Sequence, residues 1–453
     1  MAGTGSSGCL GVFSRFGIDL PPGCGQASLY GGCRGDSVCR RWHLSGEAFA
    51  SDECGRVFHH RDHGRKRPGE IFSVNCRILY VVGQLSCGGL ERQLCYLLQT
   101  LDRERYRPEL VVWNTSRDIY SSTIEALGIS LHRFRSGASG PEKLFTFRRL
   151  VRRLNPEVVH SFSFHTNFAA WWAVQGTRAL AVGAVRSDFE EAKRDSGLLL
   201  GRLSGRWPRD QIFNSRAAAE SARHAHTVFV ADGIYVVQNG VDVQSFPYVP
   251  MPVNNSPRVL AVGSLIAVKR WDRLLRAACH LREKGLDFEL QIAGDGPLRD
   301  ALQNHIETLA LSACVRLLGY RNDVAELLAA ARFLTHTSDS EGCPNVVAEA
   351  MACGRAVVAT DSGDVASLVE DGTTGFLVTC QDEAALAERM ETLLTDPELC
   401  KRMGQAGRAK AETDLGLDRM MTETLGVYKS IGWDGPSHGI RGGPRIPTIE
   451  VGP

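Results

Sequence analysis

No apolar run in this sequence approaches the roughly 18 to 20 residues that cross a bilayer as a helix. The longest candidate, Phe168 to Val185, is interrupted by Gln175, Thr177 and Arg178. The first residues lack a basic stretch followed by an apolar one, so no secretory signal is read there. Net charge is nearly absent, +1 from 52 Lys and Arg against 51 Asp and Glu. That removes a global field as an argument for nucleic acid. No C-x2-C pair marks a zinc site, although Cys24, Cys33, Cys39 and Cys54 lie near His43, His59, His60 and His63. Fourteen cysteines are spread along the chain, and Cys279, Cys314, Cys343, Cys353 and Cys380 fall singly inside predicted elements. This pattern suits reduced thiols in a cytoplasmic protein better than a disulfide framework.

What is present is ordinary globular composition, 43% hydrophobic and 23% charged in 453 residues, enough for two or three domains. Residues 1–73 are glycine-rich, without periodicity, and carry a basic run at Arg61 to Arg67. They are expected to form a disordered extension. From Cys76, apolar strand-like runs alternate with helical patterns. Arg77 to Gly83 reads as a buried strand, and Leu90, Leu94, Leu97, Leu98 and Leu101 mark the helix face after it. Strands are read at 109–113, 129–134, 179–186 and 212–215, and another ends at Val158 and Val159. Pro247, Pro250, Pro252 and Pro257 mark a linker. The expected domains are therefore 74–250 and 251–433, with a loose tail at 434–453. Alternation without hairpin signals predicts α/β architecture with parallel sheets. A helix over 141–154 bears Arg148, Arg149, Arg152 and Arg153, a face suited to solvent, an acidic acceptor or anionic lipid.

The chemistry concentrates in Ser338–Gly354, SDSEGCPNVVAEAMACG. Gly342 and Pro344 predict a tight loop entering a helix, and Gly354 a helix stop. Glu341 then stands on the loop and Glu349 on the second turn. Eight helical steps would rise about 12 Å, beyond the roughly 5 to 10 Å of paired glycosidase carboxylates. Such a span suits two grips on one extended ligand. The N–H groups from Cys343 to Val347, other than at Pro344, lie between the grips, where a phosphate would bind.

The stretch EGCPNVVAEAMACGRAVVATDSG resembles the donor-site signature of the family 4 retaining glycosyltransferases. These have the GT-B fold, two doubly wound Rossmann-like domains facing a cleft, and the likeness runs from about Cys76 to Tyr428. It implies that Glu341 contacts the donor sugar and Glu349 the ribose, and that Lys269 meets the diphosphate. Gly88, Gly89 and Glu91 match a Gly-Gly-x-Glu loop that lines the opposite wall. Tyr320 and Arg321 match a loop against the nucleotide base. A histidine near the reacting sugar would be His165 or His160, with His165 preferred. Apart from the resemblance, Arg186-Ser187-Asp188 at the carboxyl end of the strand 179–186 is a candidate acceptor contact. Two departures stand out. Ser264 replaces an arginine common in the family, for which Arg270 is a candidate substitute, and Gly363-Asp364 replaces a Gly-Gly pair. The resemblance also implies a last helix crossing back to the first domain, and a nucleotide sugar, UDP- or GDP-linked, as co-substrate. No cofactor or metal is expected, and no Asp-x-Asp closes a strand. The acceptor is left open among glycans, lipid-linked and small molecules, as in polysaccharide biosynthesis. The expected location is cytoplasmic, with peripheral attachment at the inner membrane face left open. A phosphorylase, an epimerase and a non-catalytic sugar-nucleotide binder are the alternatives.

Overall fold

A computed structural model describes residues 76–436, apart from 87, 115–117, 226 and 253–255. The expected extension at 1–73, its cysteine–histidine cluster, and residues 437–453 of the tail lie outside the described residues.

The first sheet contains β1 (Cys76–Val82), β2 (Tyr106–Val112), β3 (Ser130–Arg133), β4 (Val158–Ser161), β5 (Leu180–Val185), β6 (Asp210–Phe213) and β7 (Gly233–Val236). Their spatial order is β3-β2-β1-β4-β5-β6-β7, and neighbours pair in parallel. The second sheet contains β8 (Arg258–Val262), β9 (Glu289–Ala293), β10 (Val315–Gly319), β11 (Phe333–His336), β12 (Ala356–Thr360) and β13 (Gly375–Val378). Its order is β10-β9-β8-β11-β12-β13, again parallel. Helices cover both faces, which is why the strands read as unbroken apolar runs rather than as alternating ones. In β1, Ile78, Leu79, Tyr80, Val81 and Val82 are all buried.

Both sheets reverse strand order once, between β1 and β4 and between β8 and β11. Ligands of open α/β sheets bind beyond the carboxyl ends of strands at such a switch point. Each switch point here is built by two loops, Gly83 onward with Phe162 onward, and Gly263 onward with Thr337 onward.

The helix Leu417–Ser430 belongs to the core of the first sheet. Met420, Met421, Val427 and Tyr428 pack with Ile78, Tyr80 and Leu94. Three details depart from the sequence reading. β4 runs on through Ser161, which draws His160 into the sheet interior, fully buried. Its Nδ1 lies 2.6 Å from Tyr428 Oη. Pro344 flanks the helix Asn345–Ala352 rather than entering it. Finally, helices Phe189–Asp195 and Leu198–Arg206 fill the connection from β5 to β6. Their apolar stripe is weak in sequence because Gly201 and Gly205 supply the close packing, against Lys193 O and Phe229 O. Leu198 and Leu199 stay exposed.

Among the described residues, no helix is long and apolar enough to cross a membrane. No group of three or more His, Cys, Asp or Glu side chains there is placed to hold a metal ion, and all eight described cysteines are free thiols.

Candidate active site

A cleft of about 330 Å³ lies where loops of the two sheets meet. One wall is the loop 339–344 and the helix Asn345–Ala352. The other holds Gly89, Leu90, Arg92, Arg186, Asn214 and Asn239.

Local chemistry explains the second-domain wall. After β8 the chain turns past Gly263, whose carbonyl packs so closely on Gly294 that no side chain fits at Gly294. Asp339 N–H donates to Val268 O at 2.9 Å, and Thr337 Oγ1 donates to Lys269 O at 2.9 Å. Those bonds lay the loop bearing Lys269 along the loop bearing Glu341. Lys269 Nζ consequently donates to Glu341 Oε1. His336 Nε2 stands 3.0 Å from the same oxygen. Burial would raise the Glu341 carboxyl; His336 and Lys269 outweigh it and hold it well below the usual carboxylate range. Glu341 is therefore an anion fixed in place. Gly363 abuts the Glu341 carbonyl at a φ of 58°, the left-handed region that favours glycine.

Glu349 sits on the second turn of its helix, almost wholly buried. Its Oε1 is 2.6 Å from Arg92 of the helix Gly89–Thr100. Burial raises the Glu349 carboxyl, and Arg92 offsets part of that rise. Asn345 ties the walls together. Its Oδ1 accepts from Asn239 Nδ2 at 2.7 Å and Gln93 Nε2 at 3.2 Å, while its Nδ2 donates to Gly89 O at 3.1 Å.

A second junction is made by Asp364, which is 3% exposed. Its Oδ1 accepts the N–H groups of Arg216 at 2.7 Å and Ala217 at 3.2 Å, and the Ser215 hydroxyl at 3.3 Å. Its Oδ2 accepts from Gln238 Nε2 at 2.5 Å. The first two donors are orphan N–H groups at the start of the helix Arg216–His224. Asp364 N–H itself donates to Gly342 O at 2.9 Å, so one residue touches both the partner domain and the loop after Glu341.

Of the residues singled out in the sequence, Gly89, Arg186, Ser264, Lys269, Glu341, Gly342, Cys343, Pro344, Asn345, Val346 and Glu349 line the cleft together. Gly88, Glu91, His160, His165, Arg270, Tyr320 and Arg321 are not part of that lining. Arg270, in a left-handed conformation at φ 50°, turns to Asp272 and Asp339, with Nε 3.0 Å from Asp272 and one terminal nitrogen 2.9 Å from Asp339. Two carboxylates hold it outside the cleft lining in this structure. Tyr320 is exposed, and Arg321 pairs with Asp323 beside it. Gly88 precedes the helix Gly89–Thr100 and packs on Glu91, whose Oε1 accepts from Ser86 at 3.1 Å. Burial raises the Glu91 carboxyl, with Ser86 opposing. His165 stands at the first-sheet switch point, with its ring against Gly83. Its Nε2 is buried without a partner. Burial, helped by Lys143, pulls its pKa below the ordinary value, so it is neutral at pH 7. Arg92, His336 and Asp364 were not assigned roles from sequence. Nothing in the chain pairs Arg92 with Glu349, since the two meet only when the domains face each other.

Two facing parallel-sheet domains, with paired switch points and an acidic helix start between them, define the GT-B class. Residues 250–410 match the family of glycosyl transferases group 1, and residues 88–232 match the glycosyl transferase 4-like domain. The Anabaena protein HepE in complex with UDP aligns with a TM-score of 0.66 at 20% identity, covering 78% of this chain and 100% of HepE. That likeness shows the fold. In sequence, the chain is 31% identical over 182 residues to the alpha-D-kanosaminyltransferase of Streptomyces kanamyceticus, 40% of this chain and 47% of that one. The match thus spans about half the length of that curated relative. It is 26% identical over 364 residues to an N-acetyl-D-galactosaminyltransferase of Campylobacter jejuni named for an undecaprenol-diphosphate-linked acceptor, 78% of this chain and 99% of that one. The chain belongs to the group 1 glycosyltransferases of GT-B fold.

Proposed function

We propose that the protein is a retaining hexosyltransferase that moves a sugar from a nucleotide-sugar donor to an acceptor hydroxyl. The observation that carries this reading is the geometry of one helix start. Glu341 precedes it, Glu349 follows it, and Lys269 stands beside Glu341 in the same cleft. Glu349 grips the ribose, the N–H groups of Cys343, Asn345 and Val346 face the diphosphate, and Glu341 orients the sugar. In the transfer, the C1–O bond to the diphosphate breaks and its electron pair leaves on the diphosphate. The acceptor oxygen bonds to C1 from the same face and gives its proton to the departing phosphate oxygen. Charge grows on the diphosphate, where Lys269 and the helix N–H groups favour it electrostatically. His165, whose buried Nε2 has no partner among the described residues, is read as a hydrogen-bonding group for the transferred sugar from the first-domain side. Retention rests on the family.

The donor is read as UDP- or GDP-linked. HepE was crystallised with UDP, and this supports the first. The Campylobacter relative acts on a lipid-linked glycan, which favours a glycan or lipid-linked acceptor over a small molecule, with the enzyme working at the cytoplasmic membrane face. The domain limits read from sequence, 74–250 and 251–433, are retained, with the helix Leu417–Ser430 returned to the first. The relatives favour transfer over the phosphorylase, epimerase and non-catalytic readings.

The test is a thermal shift with UDP, GDP, ADP and CMP, each with and without EDTA. A ligand at about 100 times its dissociation constant adds roughly 2.7 kcal/mol. One nucleotide should stabilise the wild type, with or without EDTA, and should lose that effect in Glu349→Ala. No stabilisation by any of the four would overturn the donor site. Full transfer by His165→Ala would remove the histidine from the mechanism.

A further inference from the structure

Three fixed cations line the cleft among the described residues: Arg92, Arg186 and Lys269. Two are matched by carboxylates. Lys269 is bonded to Glu341, and Arg92 lies 2.6 Å from Glu349. Arg186 is different. No carboxylate of the described residues lies within ion-pair distance of it. Its guanidinium stacks 4.0 Å from the centre of the Phe162 ring, which fixes its plane. One terminal nitrogen reaches Asn239 Oδ1 at a long 3.4 Å, and Nε is sealed from solvent without a partner. Burial lowers its pKa to about 10, so it keeps its charge at neutral pH. A cation withdrawn from water without an anion is unfavourable, and arginine presents a planar fork suited to phosphate oxygens.

Its position says which anion fits. Arg186 follows β5 at the sheet's carboxyl end, and its carbonyl touches Gly342, where an added Cβ would stand 2.9 Å away. Gly342 leads directly into the helix start at Asn345. The arginine therefore faces, from the first domain, the N–H groups offered by the second. The residues that sequence would put there do not deliver a charge: Ser264 has none, and Arg270 is held by Asp272 and Asp339.

We propose that Arg186 is the second diphosphate-binding cation of the site, supplied by the opposite domain in place of the charge missing at Ser264. This rests on the donor reading above. It makes diphosphate binding depend on the two domains being together, while the nucleoside is held by the second domain's own Glu349.

The experiment compares UDP with uridine on the full chain, UDP by calorimetry and uridine by saturation-transfer NMR, for wild type, Arg186→Gln, Arg186→Lys and Glu349→Gln. GDP and guanosine replace them if the wild type takes GDP. Arg186→Gln should weaken UDP about 10- to 100-fold and leave uridine unchanged, and Arg186→Lys should recover part of the loss. Unchanged uridine binding also shows that the site has folded. Equal UDP affinity in wild type and Arg186→Gln overturns the proposal, and so does an equal loss for UDP and uridine. Glu349→Gln should weaken both ligands. If it weakens neither while Arg186→Gln weakens UDP, the ribose assignment fails and the arginine stands. If the wild type binds no nucleotide, the donor reading and this inference fall together.

Discussion

Replacing Asp364 by alanine should loosen the junction between the two domains by a predictable amount. The carboxylate accepts two helix-start N–H groups and a glutamine amide at 2.5–3.2 Å, and it is 3% exposed. Losing a helix cap costs about 0.5–2 kcal/mol, and hydrogen bonds to a charged group contribute about 1.5–3 kcal/mol. The terms overlap, because the same amides are counted in both, so about 2–4 kcal/mol is a fair total for the contact. If the Arg216 and Ala217 amides exchange with solvent by an opening that breaks this contact, their exchange should quicken roughly 30- to 1000-fold in Asp364→Ala. Hydrogen exchange read by mass spectrometry on peptides covering 214–219 measures this directly. Asp364→Asn keeps one acceptor oxygen and should show a much smaller change. Peptides within β12, which Asp364 does not touch, are the internal control. Equal protection of 214–219 in wild type and Asp364→Ala would refute the reasoning and leave Asp364 a bystander at the junction.

Other consequences are open to measurement. Because the folded-state pKa of Glu341 is depressed, its ion pair stabilises the protein fully above the ordinary carboxylate value of about 4.3 and progressively less as pH falls below it. Glu341→Gln should therefore flatten the acid limb of stability against pH, and an unchanged limb would contradict the pairing. Arg92→Ala strands a buried carboxylate; with Arg92 itself 29% exposed, a loss of about 1–3 kcal/mol is expected in urea unfolding, below the 3–5 kcal/mol of a fully buried pair. The double variant Arg92→Met, Glu349→Gln should recover most of it, and strict additivity would argue against coupling. Gly83→Ala drives a methyl into the His165 ring and should slow transfer about 10- to 100-fold with nucleotide affinity kept. An unaltered rate would mean that the position of His165 does not matter.

The strands were legible because parallel sheets covered on both faces demand continuous apolar runs, as in Arg77 to Gly83. The pairing of Glu341 with Lys269 was less visible. Each residue could be marked, but their contact depends on β8 and β11 being neighbours, a fact of strand order. Length and polarity misled at two places. Val158 and Val159 looked like the end of a strand because His160 and Ser161 are polar, yet Tyr428 supplies the partner that lets His160 stay inside. Arg270 was read as a phosphate contact because one of its two carboxylates, Asp339, comes from a loop 69 residues on in sequence, while the other, Asp272, stands in the first turn of the helix that follows it. The departure at Gly363-Asp364 was seen in the sequence but had no meaning until the helix Arg216–His224 was placed against it.

The return of the helix Leu417–Ser430 to the first sheet has a consequence for biosynthesis. Tyr428, fully buried beside Tyr80 and His160, is made roughly 190 residues after the last strand of that sheet, about 10–40 s later at ordinary translation rates. Until then the emerging first sheet carries an uncovered apolar seam where Met420, Met421 and Val427 will lie. The second sheet, translated later, is complete sooner, because every strand and helix of its core lies between residues 251 and 414. The order of synthesis and the order of completion are thus reversed. A released chain ending after Asp414 would hold a finished second sheet joined to an unfinished first one, a species that chaperones should recognise by that seam.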